Sequence, residues 1–298
     1  MSTSALRDHA WLPKATCDTA CITAGGYAAT RRLIVALRVA RRITLLLLFA
    51  PVLPLLAGCL PSWSKSRQIY CRLLLCCLGV KITVSGGPIR NLPGVLVVSD
   101  HMSWLDILTI GAALPSSRWR ASPLSFVARA DVAATSAVRM MARIVKVIPI
   151  ERAKLRQLPA VVATVAARLY AGHTVVAFPE GTTWCGRSGH SHQGSGPFYP
   201  AMFQAAVDTG RPVQPLRLRY QHRDGRVSTV PAYIGNDTLL RSIGRLMVAR
   251  RTVACIYVES LQLPGNDRRE LARRCQAAIR INTIPHSACG RRPSVPTS

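Results

Sequence analysis

Acidic residues are scarce in this chain: 13 Asp plus Glu stand against 39 Lys plus Arg in 298 residues, a formal charge of +26. Aromatics are also few, at 6%, and charged residues make up only 17%. A disordered basic tail combines high net charge with low hydrophobicity; here 49% of residues are hydrophobic and mean hydropathy is +0.21, which excludes it. The same numbers weaken a nucleic-acid footprint as the reading of a pI near 11.1. The glycine patterns of P-loops and dinucleotide folds are missing, as is a Gly-x-Ser-x-Gly elbow, which disfavours nucleotide hydrolysis, hydride transfer and a serine nucleophile. Ten cysteines in a chain this long are no disulfide framework, and reduced thiols are expected. Cys17 and Cys21, near His9, are a poor match for metal-binding Cys-x-x-Cys pairs, so no metal is expected.

A membrane surface fits both the charge and the hydropathy, because apolar segments insert while Lys and Arg meet anionic headgroups at about 1 kcal/mol each. Ile43 to Ser64 contains no charged residue, and Ile43–Leu60 is nearly all apolar, about the length of a hydrocarbon core. Pro51 and Pro54 interrupt it, so a kinked or re-entrant segment is expected rather than a straight helix. Five arginines before this run and four basic residues after it leave the positive-inside rule nothing to act on. Residues 1–30 read as a poorly ordered lead-in, 31–80 as a membrane-embedded helical anchor, 81–262 as the main domain, and 263–298 as a basic helix and tail. Leu56-Ala57-Gly58-Cys59 resembles a lipoprotein cleavage box, but the basic region before it is too long for a signal peptide.

After Lys81 the pattern becomes that of an α/β domain. Strands are expected at Lys81–Ser85, Gly94–Ser99, Leu124–Ala128, Val145–Ile150, Thr174–Phe178, Val213–Tyr220 and Cys255–Val258, as short β-branched runs bounded by turn residues. Helices are expected at Leu105–Ala113, Ser136–Ile144 and Ala201–Thr209. Another is expected through Leu155, Leu158, Val162, Val165 and Leu169, whose spacing of three and four is helical. This alternation predicts a largely parallel sheet flanked by helices.

Two segments carry chemistry. Asp100-His101-Met102-Ser103-Trp104-Leu105-Asp106 follows the Gly94–Ser99 strand, and strand ends are where α/β sheets place active sites. On one regular helix His101 and Asp106 would diverge by about 140°. They meet only if His101 lies in the turn before the helix, as a base with its orienting carboxylate. The alternative is a surface His beside an Asp that favours the helix dipole. Phe178-Pro179-Glu180-Gly181-Thr182-Thr183 follows a second strand. Its glycine frees the backbone for close approach to a ligand, and its amides and hydroxyls suit phosphate or hydroxyl oxygens; an ordinary β-turn is the alternative.

Together these segments resemble the glycerolipid acyltransferase superfamily, typified by bacterial 1-acylglycerol-3-phosphate O-acyltransferases. The family's His-x4-Asp block matches His101 and Asp106, its FPEG block matches Phe178–Gly181, and a block ending in a basic residue matches Ile148–Arg152. Val213–Leu216 and Tyr233–Leu240 resemble two further family segments. Departures are Asp100 where many relatives have Asn or Ser before the His, Arg129-Ala130-Asp131 in place of Lys-x-Glu, Arg139 for a glycine, and a long Trp184–Gly196 segment. His190 and His192 in that segment read as part of a solvated Gly/Ser loop rather than a metal site.

The resemblance implies an α/β acyltransferase fold and an O-acyltransferase that needs no cofactor. Acyl-CoA or acyl-carrier protein would donate a fatty acyl group to the hydroxyl of lysophosphatidic acid, giving phosphatidic acid. His101 and Asp106 would be catalytic; Ser103, Trp104, Arg152, Glu180, Gly181, Thr182 and Thr183 would bind substrate, with Arg152 on the acceptor phosphate. Other acceptors, such as a lyso-ornithine lipid or a glycolipid, fit the same blocks. An inert basic membrane- or nucleic-acid-binding protein is the reading from charge alone. Expected partners are the lysolipid, the acyl donor and anionic membrane lipid, with no nucleic acid, at the cytoplasmic face of the inner membrane.

Overall fold

The computed structural model describes residues 17–22, 32–49, 63–87, 92–114, 124–129, 147–150, 155–187 and 196–281. Seven strands form one sheet: β1 Val80–Gly86, β2 Leu96–Ser99, β3 Leu124–Arg129, β4 Ile148–Ile150, β5 Thr174–Ala177, β6 Val213–His222 and β7 Thr252–Val258. The helices are α1 Arg32–Phe49, α2 Trp63–Cys77, α3 Leu105–Ala113, α4 Leu158–Tyr170, α5 Ala201–Thr209, α6 Leu239–Val248 and α7 Arg268–Ile281. Strand order is β1-β7-β6-β2-β5-β3-β4, and every pairing is parallel except β6 with β7. The expected mixed fold with a largely parallel sheet is therefore present. The expected helix at Ser136–Ile144 lies outside the described residues.

The sheet is covered on both faces, and strand alternation explains how. Successive side chains point to opposite faces. Thus Val97 and Val176 join one core with Leu75, Leu105, Leu108 and Leu246, from α2, α3 and α6. Leu96, Val98, Val175 and Ala177 join the other, with Val165, Leu169, Phe203 and Leu271 from α4, α5 and α7. Central strands buried on both sides must be apolar throughout, and the four residues of β2 are all buried. This is why Leu96–Ser99 reads as a continuous rather than an alternating run. Because β2 is central, the loop leaving it opens over the middle of the sheet.

The N-terminal helix is attached by an inverted polarity. Arg42 on α1 is 2% exposed, and its guanidinium donates to the carbonyls of Leu246, Met247, Ala249 and Arg250 at 2.5–2.9 Å. Arg38 donates to Val248 O at 2.7 Å. These carbonyls lie at and beyond the C-terminus of α6, where unsatisfied acceptors and the negative end of the helix dipole favour a cation. Gly79 makes room: a Cβ there would sit 1.9 Å from Arg42 Nη2. Removing a buried charged partner costs about 3–5 kcal/mol. Arg42→Ala is expected to lower Tm by about 6–20 °C, at 2–4 °C per kcal/mol for a chain of this size. Thermal unfolding in detergent checks it. Arg42→Lys restores little, because one ammonium does not span four carbonyls.

No helix among the described residues is long and apolar enough to cross a membrane. The expected Ile43–Leu60 membrane segment runs from α1 into residues 50–62, which lie outside the described set. Within the lead-in, Thr19–Cys21 forms a 3-10 turn whose Asp18 carboxylate accepts the Ala20 amide at 3.0 Å. Cys17, Cys21, Cys71, Cys76, Cys77, Cys185 and Cys275 are free thiols. Cys255 is disulfide-bonded, contrary to the expectation of reduced thiols throughout.

Candidate active site

The β2–α3 turn resolves the spacing problem between His101 and Asp106. α3 begins at Leu105, so His101 stands outside the helix and folds back over its first turn. Its Nδ1 lies 2.8 Å from Asp106 Oδ2. The same oxygen accepts the backbone amides of Met102 at 2.7 Å and Ser103 at 2.9 Å. Oδ1 accepts the Tyr220 hydroxyl at 2.7 Å. Asp106 is 0% exposed, so a carboxylate taken fully from water receives four hydrogen bonds in return. Buried charges persist when they are paired and hydrogen-bonded in this way.

That set of partners fixes the histidine tautomer. Two backbone N–H groups only donate, so Oδ2 acts as an acceptor and Nδ1 must carry the proton toward it. The Nε2 lone pair is then left on the far edge of the ring, ready to accept a proton. The imidazole is held from its face as well, stacked on Phe178 with centroids 4.1 Å apart and an 18° interplanar angle. The backbone N–H of His101 donates to Glu180 Oε2 at 3.2 Å, and its carbonyl accepts the Trp184 amide at 3.1 Å. The two sequence motifs thus meet on the same residue.

Tyr220 stands on β6 and has no sequence signal of its own. Burial, and then the adjacent Asp106 charge, push its pKa well above the ordinary phenol value. Tyr220 therefore keeps its proton and remains a donor to Asp106. Asp100 is a second buried carboxylate: Oδ1 accepts the Leu218 amide at 2.8 Å, and Oδ2 is paired with Arg219. Burial raises its pKa, while Arg219 and the Leu218 amide oppose the shift. Arg219 in turn lies over the Trp184 ring, 5.2 Å from its centroid. The departure at Asp100 is accommodated by an arginine on the neighbouring strand, which ties β2 to β6 behind the turn.

The other residues predicted at the site divide by what they touch. Ser103 is buried, with its Oγ accepting the Leu105 amide at 3.2 Å, so it is held in the turn that leads into α3. Trp104 is half-buried, and its Nε1 donates to Ser242 Oγ on α6 at 3.1 Å. Glu180 is buried against the His101 backbone, and the Thr183 hydroxyl donates to Tyr233 O. The Tyr233 amide donates to Met102 O at 2.9 Å. Gly181 has φ +70°, the left-handed conformation that lets the chain turn back from Glu180. Gly181 and Thr182 are half-buried beside this turn. Arg152, with Glu151, lies outside the described residues, as do His190 and His192.

Comparison with known proteins follows the same outline. A family model described as Acyltransferase matches residues 81–219. The chain is 32% identical over 222 residues to a lyso-ornithine lipid O-acyltransferase of Pseudomonas aeruginosa, covering 74% of this chain and 79% of that protein. It is 31% identical over 186 residues to a 1-acyl-sn-glycerol-3-phosphate acyltransferase of Neisseria meningitidis, covering 61% and 67%. A crystal structure of the 1-acyl-sn-glycerophosphate (LPA) acyltransferase from Thermotoga maritima shares the fold, with TM-score 0.53 and 17% identity over 84% of this chain and 94% of that one.

Proposed function

Because the chain belongs to the glycerolipid acyltransferase superfamily and is an acyltransferase, we propose that it moves a fatty acyl group from a thioester donor to the hydroxyl of lysophosphatidic acid, giving phosphatidic acid. The observation that carries the reaction type is the His101–Asp106 pair, whose buried carboxylate sets Nδ1 as donor and leaves Nε2 as base. An alcohol is a weak nucleophile, and a base within hydrogen-bond reach raises its reactivity. Nε2 takes the hydroxyl proton as the oxygen attacks the thioester carbonyl of acyl-CoA or acyl-carrier protein. The C–S bond then breaks, and the imidazolium returns the proton to the leaving thiolate. Asp106 stabilises the imidazolium between the two steps. No step calls on a cofactor.

The acceptor reading rests on the resemblance of Ile148–Arg152 to a phosphate-binding block, with Arg152 pairing bidentately with the phosphate. The basic excess also favours anionic lipid. A second acceptor, a lyso-ornithine lipid, is favoured by the longer match to the Pseudomonas relative, 222 against 186 residues.

The proposed place of work is the cytoplasmic leaflet of the inner membrane. Its support is α1, which turns Leu33, Leu37, Leu47 and Leu48 outward while Arg38 and Arg42 face the protein; Leu47 is 72% exposed. An apolar helix face of this kind lies in the plane of a membrane interface.

The test is direct. Purified enzyme is given labelled acyl-CoA or acyl-carrier protein with lysophosphatidic acid and lyso-ornithine lipid in parallel, and products are identified by mass spectrometry. Phosphatidic acid as the main product is expected. Transfer to lyso-ornithine lipid alone would move the assignment to the second acceptor, and no transfer to either would overturn both.

A further inference from the structure

Two thiols of the N-terminal turn and a third from far along the sequence come together beside the active-site turn. The sulfurs of Cys17, Cys21 and Cys185 all lie within 4.8 Å of one another. Cys17 and Cys185 are each 7% exposed, and Cys21 is half-buried. Among the described residues this is the single group of three or more metal-ligating side chains close enough to share an ion. From this juxtaposition we propose that Cys17, Cys21 and Cys185 form a binding site for a thiophilic divalent cation of the zinc type, clasping the N-terminal turn to the loop that follows Glu180.

Chemistry and geometry both support it. An all-sulfur donor set selects soft, d10 ions over magnesium or calcium. With Zn–S bonds of about 2.3 Å, tetrahedral ligands stand about 3.8 Å apart, so the thiols need to close by about 1 Å. Water supplies the fourth position. Gly186, the residue after Cys185, has φ +80°, the left-handed conformation that turns the chain directly after the third thiol.

The clasp would hold pieces that frame the catalytic turn without touching substrate. Cys185 adjoins Trp184, whose amide donates to His101 O. Gly186 packs so closely on Met102 that a Cβ would lie 2.7 Å from its sulfur. Cys17 and Asp18 pack beside Gly235, two residues from the Tyr233 whose carbonyl accepts the Thr183 hydroxyl. The Cys17–Cys21 spacing was uninformative because the third ligand is supplied by the loop after β5, a contact only the fold creates.

The experiment uses the full chain in detergent, reduced and stripped with chelator, then titrated with zinc or cobalt alone. One ion per chain is expected, with a sulfur-to-cobalt charge-transfer band. Cys17→Ser and Cys185→Ser should weaken binding by at least about 10–100-fold, the loss seen even for outer-shell changes. Cys76→Ser, an exposed thiol on α2, should leave it unchanged. Alkylation mapped by mass spectrometry in the unmutated protein guards against variants that fail to fold: zinc should protect Cys17, Cys21 and Cys185 but not Cys76. No bound ion, protection that ignores these three thiols, or a disulfide among them that excludes the ion would each overturn the site.

Discussion

His101→Ala is expected to cut the turnover number by about 10²–10⁴-fold, the usual range for a positioned acid–base group. The imidazole is anchored on three sides: Nδ1 by Asp106, its face by Phe178, and its backbone by Glu180 and Trp184. Each of these contacts holds Nε2 in place, and alanine removes the one atom they serve. Asp106 keeps its other three donors in the variant, the Met102 and Ser103 amides and the Tyr220 hydroxyl. The turn should therefore survive, and Tm should move by no more than a few degrees. The loss should fall on kcat with little change in KM, since the base acts in the transition state and not in lipid binding. A folded His101→Ala enzyme with near-normal turnover would exclude His101 as the base.

What could be read from the sequence follows from how local each feature is. α3 and α5 are found at the bounds expected, Leu105–Ala113 and Ala201–Thr209, because their apolar spacing and flanking turns lie within a single segment. Strands β2, β3, β5 and β6 match to within a few residues for the same reason. The antiparallel β6–β7 pair was not legible, since strand direction depends on the path between strands rather than on their residues. At the site, His101, Asp106 and Glu180 announce themselves through short motifs. Tyr220 and Arg219 do not: they are adjacent residues of a strand whose pattern looks like packing, and only the register of β6 on β2 brings them to Asp106 and Asp100. The scarcity of acidic residues acquires a physical meaning here. In a chain of net charge +26, Asp100, Asp106 and Glu180 are 1%, 0% and 2% exposed. Three of the thirteen carboxylates are thus withheld from the basic surface and spent on holding one turn.

Substituting Asp106 separates charge from geometry. In Asp106→Asn the amide oxygen must occupy the Oδ2 position, because the Met102 and Ser103 amides there are obligate donors and would repel an NH2 group. The oxygen still accepts from Nδ1, so the productive tautomer is retained. The amide NH2 then faces Tyr220, whose hydroxyl rotates to accept. What is lost is the negative charge opposite the imidazolium. A hydrogen bond to a charged group is worth about 1.5–3 kcal/mol against about 1 for a neutral one, so turnover should fall by about 2–30-fold, at 1.36 kcal/mol per tenfold. That is well short of the ~10⁴ loss seen where an Asp-to-Asn change reverses the tautomer of a catalytic histidine. Asp106→Ala should be far worse. It strands two backbone amides and the Tyr220 hydroxyl in a buried site, at about 1–3 kcal/mol for each unsatisfied group, and frees the imidazole to turn. Parallel kcat and Tm measurements on the two variants decide the matter. Equal losses of turnover in both, with Asn as damaging as Ala, would show that the two backbone amides do not hold the carboxylate oxygen as described.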